Sequence, residues 1–380
     1  MHTVRTDVVV IGAGPAGSTT ARLCAEGGLS VVVLEEHDQV GLPVQCAGLI
    51  STRIDEVNYL PDDVVVNTVR GARMWSPGGT CITVARPEAQ AYVIDRAAFD
   101  ANLAGLAQEA GAELVLGARA RWMGPGYVRT TDTAYRSRFV VCCEGFASRL
   151  PRGVGLDTTR ELLAARQVRI RTTGLDTDHV IMFFGRKVAP GFFGWIIPES
   201  EDVARVGVAC RGGQVNARLR AILRDRLGPH NIIEQGGGVI PISGPVRRTQ
   251  DGGLVVVGDA AGQVKATTGG GIVVGSICAA AAAEALIAGD PAAYERLWRS
   301  RVERELAMCL RIRRFVDDLD DIELDSFFTV LKDSGAERTI EQWGDMDFPS
   351  ALVARLALNP SVVTFAARRL ADLQRRHLLF

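Results

Sequence analysis

Residues Val8 to Ile11 are four consecutive β-branched side chains with no polar break, the pattern of a strand covered on both faces of a parallel sheet. A glycine-rich turn follows, then a predicted helix over Ser18–Glu26 and a second apolar strand over Val31–Leu34. The rhythm of strand followed by glycine turn returns from Phe139 and again from Leu254. Elsewhere strict alternation replaces continuous apolarity, in Gln167-Val168-Arg169-Ile170-Arg171 and Arg205-Val206-Gly207-Val208. Such alternation predicts antiparallel strands with one covered face. From Pro291 the pattern turns helical, with Leu306, Leu310 and Ile312 on one apolar side. The expected organisation is interleaved. Residues 1–70, 90–155 and 245–290 form an α/β layer, 71–90 and 156–244 an antiparallel sheet, and 291–380 a helical region.

Composition narrows the picture. The 380 residues are 47% apolar and 23% charged, which describes a folded globular chain rather than a disordered one. A formal net charge of −1 argues against a dedicated nucleic-acid binder, whose affinity comes from a basic face. Lys187, Lys265 and Lys332 are the only lysines, so arginine supplies nearly all the positive charge, as a GC-rich genome would give. Eight scattered cysteines include no Cys-x-x-Cys pair, so they read as reduced, mostly buried thiols rather than a metal site or a redox dithiol. None of the five histidines falls in a motif, and no metal is expected. The N-terminus runs directly into the first strand without a signal peptide, and the Ile272–Ile287 stretch is shorter than the ~20 residues of a membrane span. The expected location is the cytoplasm.

The chemistry begins at the first turn. Gly12, Gly14 and Gly17 stand at G-x-G-x-x-G spacing between strand and helix, with Pro15 and Ala16 inside the motif. Gly12 permits the tight turn, Gly14 lets a pyrophosphate approach the backbone, and Gly17 lets helix and strand pack closely. Glu35 ends the second strand 18 residues beyond Gly17, where a carboxylate accepts hydrogen bonds from an adenosine ribose. A dinucleotide is therefore expected here. A second acid, Asp259, follows Gly258, and the run Gly269-Gly270-Gly271-Ile272 opens a long Ala-rich helix. Asp259 suits a ribityl hydroxyl, and the amides at Gly270, Gly271 and Ile272 suit the anionic side of a flavin. Between these lies FVVCCEGFASR (139–149), an acid-Gly-x-x-Ser turn after a strand.

Together the three segments resemble the fingerprints of the p-hydroxybenzoate hydroxylase-like flavoproteins, with Glu144-Gly145 where that group usually has Asp-Gly. GLPVQCAGLI (41–50), the Arg96-led helix, FGWIIP (193–198) and TTGGGI (267–272) are similar to the geranylgeranyl reductase family, with its P-x-x-C-x-G, Tyr-x-Trp-x-Phe-Pro and T-G-G-G-I segments. Phe193 and Ile197 depart from the family's Tyr and Phe. The resemblance implies a Rossmann-type FAD-binding domain interleaved with an antiparallel substrate-binding sheet. It implies FAD contacts from Ala16, Glu35, Cys46, Ala47, Arg96, Ala120, Asp259, Gly271 and Ile272, with Gly12, Gly14, Pro15, Gly17, Gly48 and Gly270 shaping the site. Arg96 also fits on its own chemistry, as a planar cation for a pyrophosphate or flavin edge. Cys46 is the candidate catalytic group, as proton donor or orienting residue. Trp195 is expected to wall the substrate cavity, in a segment whose Gly191, Gly194 and Pro198 look too turn-rich for a plain central strand.

The resemblance implies an FAD-dependent reductase of C=C bonds in geranylgeranyl chains of a polar isoprenoid lipid. Electrons would come from an external donor (ferredoxin, deazaflavin or nicotinamide), since no second G-x-G-x-x-G follows a strand. The competing class is a flavin monooxygenase or hydroxylase. A halogenase fits less well, because its N-terminal lysine has no counterpart before Lys187. A non-catalytic flavin or lipid carrier would keep Glu35 and Asp259 but need no electron donor. Finally, Ser361–Phe380 carries Arg368, Arg369, Arg375 and Arg376 against Asp372, with apolar residues between them. A basic amphipathic helix of this kind either lies on the inner face of the cell membrane or packs on the body.

Overall fold

A computed structural model describes residues 2–147, 149–159 and 161–377. The chain divides into two compact units, each assembled from three segments. The first comprises residues 1–66, 92–163 and 237–310, and the second 67–91, 164–236 and 311–380. The chain passes from the first unit to the second after Leu310, within the helix Arg304–Asp318.

The first unit is built on an eight-stranded sheet. Strand β1 (His2–Ile11) lies between β2 (Val31–Leu34) and the strand Thr133–Cys142, with Glu113–Val115 and Leu254–Val256 further out, all paired in parallel. Val8, Val9 and Val10 are wholly buried, as their unbroken β-branched run requires. The register sets Ile11 beside both Leu34 and Cys142, so the glycine turn and the acid after β2 emerge at one carboxyl edge of the sheet. Helix α1 (Pro15–Glu26) packs against Arg96–Glu109 and Ile272–Ile287. The last of these is almost entirely buried, and its run Ala279–Ala283 keeps it slim enough to sit closely.

A seven-stranded sheet makes up much of the second unit; in it His179–Phe184 pairs in parallel with Gly71–Trp75 and antiparallel with Phe193–Pro198. Leu162–Arg171 pairs with Val203–Cys210, and the alternating residues Val168, Ile170, Val206 and Val208 form its core with Leu219, Ile222 and Leu223 of the helix Val215–Arg226. Contrary to the turn-rich reading, Phe193–Pro198 is a central strand, paired on both sides and buried throughout. Its glycine answers a packing demand: a Cβ on Gly194 would sit 2.5 Å from Ile222 Cδ1.

The helix expected to open at Pro291 starts at Ala293. The last helix, Pro360–His377, lies against Asp321–Asp333, with the Phe365 and Phe327 rings 5.2 Å apart. Of the two placements open to this basic helix, Arg369 follows the one on the body: it is buried, donating to Glu323 Oε1 at 2.6 Å and to the Asp318 carbonyl at 2.6 Å. Arg368 is exposed, while the side chains of Asp372, Arg375 and Arg376 lie outside the described residues. Among the described residues no single helix is long and apolar enough to cross a membrane.

Candidate functional site

Each of the three glycines in the first turn meets a different physical demand. Gly12 has φ +96°, and a Cβ there would lie 2.4 Å from the Cys143 carbonyl oxygen. A Cβ on Gly17 would lie 1.9 Å from the Gly12 carbonyl oxygen, so helix and turn meet this closely only because residue 17 is glycine. A Cβ on Gly14 would meet nothing within 4 Å. That open face lies at the N-terminus of α1, which has no side-chain cap and carries Pro15 in its first turn. Free amides and the positive end of the helix dipole make it a place for an anion.

Glu35 sits beside this turn, nearly buried. Its Oε2 accepts from the Ala13 amide at 2.9 Å, and its Oε1 from the His37 amide at 3.0 Å. His37 Nδ1 lies 2.6 Å from the same Oε1. The chain's own donors thus occupy about three of the four lone-pair sites of a carboxylate. The sequence reading missed His37, although an acid and a histidine two residues apart at a strand end was a visible signal.

The Gly258–Ala261 turn follows the strand Leu254–Val256. Gly258 has φ +73°, and its Cβ would approach Ala16 Cβ to 2.9 Å, so the first and third fingerprints are in contact. Asp259 is half-buried, and its Oδ1 points toward Gly271, the residue preceding the uncapped helix Ile272–Ile287. Among the described residues no donor hydrogen-bonds the Asp259 carboxylate. Burial raises its pKa, and the Arg96 cation opposes that shift. Of the amides expected at this helix start, that of Gly270 reaches Thr268 Oγ1 at 3.4 Å.

Arg96, expected as a planar cation for a pyrophosphate or flavin edge, begins the helix Arg96–Glu109 and is paired within the protein. It grips Asp100 in a fork, with Nε to Oδ1 at 3.0 Å and Nη2 to Oδ2 at 2.8 Å, and it hydrogen-bonds the Cys46 side chain. Burial would lower its pKa, but the Cys46 sulfur and the Asp100 carboxylate more than offset this and raise it. Asp100, four residues on along the same helix face, was readable from that spacing. Cys46 Sγ also accepts from the Gly48 amide at 3.3 Å, and Gly48 turns the chain at φ +70°. Ala120 packs at the edge of the first unit's core.

Glu144 turns inward to its own chain. Its Oε2 accepts from the Arg149 and Leu150 amides, each at 3.2 Å. The extra methylene relative to aspartate lets it reach the start of the helix Leu150–Gly153. In the second unit, Trp195 is 7% exposed, and its Nε1 donates to Gln167 Oε1 at 2.9 Å. The indole lies across Gly207 of the adjacent strand, where a Cβ would clash at 2.4 Å. Phe193 stacks on Phe192 at 4.1 Å and meets Trp195 edge-on at 6.1 Å.

An open glycine turn at an uncapped helix start, a buried acid beside it, and a carboxylate that no described donor hydrogen-bonds, before a second uncapped helix, fit a flavin dinucleotide. These features, on a parallel sheet, define the FAD-dependent flavoprotein class. Residues 10–59 match an NAD(P)-binding Rossmann-like domain, and 162–240 the geranylgeranyl reductase catalytic domain. The chain is 33% identical over 357 residues to digeranylgeranylglycerophospholipid reductase 1 of Methanococcoides burtonii, covering 86% of this chain and 88% of that protein. It is 30% identical to the corresponding reductase of Methanothrix thermoacetophila, over 95% of this chain and 98% of that one. A geranylgeranyl bacteriochlorophyll reductase-like protein from Thermoplasma acidophilum superposes with a TM-score of 0.85 at 25% identity, covering 97% of this chain and all of that one. A flavin-dependent brominase shares the fold at TM-score 0.74 and 18% identity, over 98% of this chain and all of that one. The chain belongs to the digeranylgeranylglycerophospholipid reductase family.

Proposed function

We propose that this flavoenzyme hydrogenates C=C bonds of geranylgeranyl chains on a polar, archaeal-type isoprenoid lipid. The match of residues 162–240 to the geranylgeranyl reductase catalytic domain carries this reading, because that segment contains the aromatic strand Phe193–Pro198. FAD, once bound, supplies the redox chemistry. The protein binds it through the Gly12–Gly17 turn, with Glu35 at the adenosine end and Asp259 at the ribityl chain. Gly271 and Ile272 present helix-start amides to the flavin. Arg96, held by Asp100, orients Cys46, our candidate for proton donation or for orienting the alkene. Trp195 and Phe193 offer the isoprenoid chain an apolar wall, held in shape by the Gln167 hydrogen bond.

Reducing equivalents come from an external carrier of the ferredoxin, deazaflavin or nicotinamide class. The Leu358 turn between the two last helices is 74% exposed and gives a lipid-bound substrate a point of peripheral membrane contact. The test is turnover of an unsaturated archaeal-type phospholipid by the chemically reduced holoenzyme, read by mass spectrometry. Addition of two hydrogens per double bond supports the reading. Addition of oxygen in aerobic turnover, with no hydrogenation, would establish the hydroxylase alternative instead.

A further inference from the structure

The turn that carries Asp259 is gripped by a buried relay through Gln263 and Tyr294. Gln263 is wholly buried and holds Gly258 at both backbone groups: its amide donates to the Gly258 carbonyl at 3.1 Å, and its Oε1 accepts from the Gly258 amide at 2.8 Å. Gln263 Nε2 donates to Tyr294 Oη at 2.9 Å, and the Tyr294 hydroxyl donates to the Val256 carbonyl at 2.9 Å. Tyr294 is also wholly buried, 31 residues further along the chain. The same short helix, Ala293–Trp298, is pinned twice more. Glu295 accepts from the Thr249 amide and hydroxyl, and Trp298 Nε1 donates to Thr249 Oγ1 at 3.0 Å.

We infer that Tyr294 and Gln263 are positioning residues for the cofactor: they fix the Gly258–Asp259 turn so that the Asp259 carboxylate meets the ribityl chain. This rests on the reading that Asp259 accepts a hydrogen bond from bound FAD. The geometry supplies the reason. Gly258 occupies the left-handed region at φ +73°; its carbonyl accepts from the Gln263 backbone amide, and its own amide ends on the Gln263 side chain. That side chain can rotate unless its amide nitrogen is held. Burial raises the Tyr294 hydroxyl's pKa well above its ordinary value, so it remains a neutral donor at working pH. Removing the hydroxyl leaves the Val256 carbonyl and the Gln263 amide nitrogen without this partner in a dry interior.

The experiment is a double-mutant cycle on FAD affinity, measured by titrating apoprotein with FAD and following flavin fluorescence. Tyr294→Phe should weaken FAD binding about tenfold, and Gln263→Met by a similar factor. In an Asp259→Ala background the same changes should add less than about twofold, because the group they position is gone. A purely structural role would leave affinity intact in folded protein, or would add its full effect in both backgrounds; either result overturns the inference. Wild-type affinity in Asp259→Ala alone refutes the Asp259 reading instead, so the two failures are distinct. Wild-type protein supplies a measurement that needs no variant. The Gly258 amide should exchange with deuterium as slowly as the core strand Val8–Ile11, with or without FAD. Exchange at the rate of an exposed loop overturns the relay.

Discussion

Replacing Asp259 with alanine should loosen FAD while sparing the fold. Among the described residues no donor hydrogen-bonds this carboxylate, so a ribityl hydroxyl would add a bond that these residues do not make. A hydrogen bond to a charged acceptor contributes about 1.5–3 kcal/mol, and about 1.4 kcal/mol corresponds to a factor of ten. The expected loss in affinity is therefore about 10- to 150-fold, read by titrating apoprotein with FAD. Arg96 does not become an unpaired charge in this variant, because Asp100 still holds it in a fork.

The same site gives a pH dependence with a definite sign. Burial raises the Asp259 pKa in the folded apoprotein above its unfolded value. Its contribution to folding is therefore fully present below the unfolded carboxylate pKa and is lost as pH rises through the raised one. FAD binding requires the charged acceptor, so affinity should run the opposite way, falling as pH drops through that raised value. Asp259→Asn removes the titration. Its apoprotein should be more stable than wild type at neutral pH and no more stable in acid, while its FAD affinity should lose the acid-side fall. An unchanged affinity in Asp259→Ala, or an acid-side fall that persists in Asp259→Asn, would refute the assignment.

Three further outcomes follow from the geometry. Glu35→Ala should weaken FAD binding less than Asp259→Ala but destabilise the apoprotein by about 1–3 kcal/mol in chemical denaturation, because the buried Ala13 amide loses its acceptor. Trp195→Ala should cost about 3–5 kcal/mol of stability as a buried large-to-small change, so Trp195→Phe is the functional probe. That variant should retain FAD and slow lipid turnover, with more peroxide formed per flavin oxidised; unchanged turnover would remove Trp195 from the substrate wall. Arg369→Ala should lower stability by about 1–3 kcal/mol, less than a fully buried ion pair because Glu323 is partly exposed, and leave FAD content unchanged.

The first turn was legible because it is local. Strand, glycines, helix and acid lie within 30 residues, and each glycine's spacing encodes one steric demand. Arg96 and Asp100 were half legible, since an i,i+4 acid on a helix was visible but its fork with the guanidinium was not weighed. Phe193–Pro198 was misread because its glycines looked like turn formers. Gly194 leaves room for Ile222, contributed by a helix 28 residues away, and sequence spacing carries no trace of that. Gln263 and Tyr294 were hidden for the same reason. Their partnership is tertiary, and neither residue type announces it. The burial of Arg369 shows the limit of reading a basic helix from composition: acceptors on two other helices, Glu323 and the Asp318 carbonyl, took one of its four arginines out of solvent.

Four carboxylates around the nucleotide turns show how binding and folding are kept apart. Glu35, Asp100 and Glu144 are occupied by the protein's own donors: the Ala13 and His37 amides, the Arg96 fork, and the Arg149 and Leu150 amides. Each therefore fixes backbone or a neighbouring side chain whether or not a ligand is present. Asp259 differs, because its turn is fixed by Gln263 while its own carboxylate accepts nothing from the described residues. A site in which the acids that shape the loops are already satisfied need not order itself around the cofactor. The free energy of the new hydrogen bonds then goes to affinity rather than to arranging the chain. Because the hydrogen bonds that fix the loop do not run through the Asp259 carboxylate, a single substitution there should separate FAD affinity from fold stability.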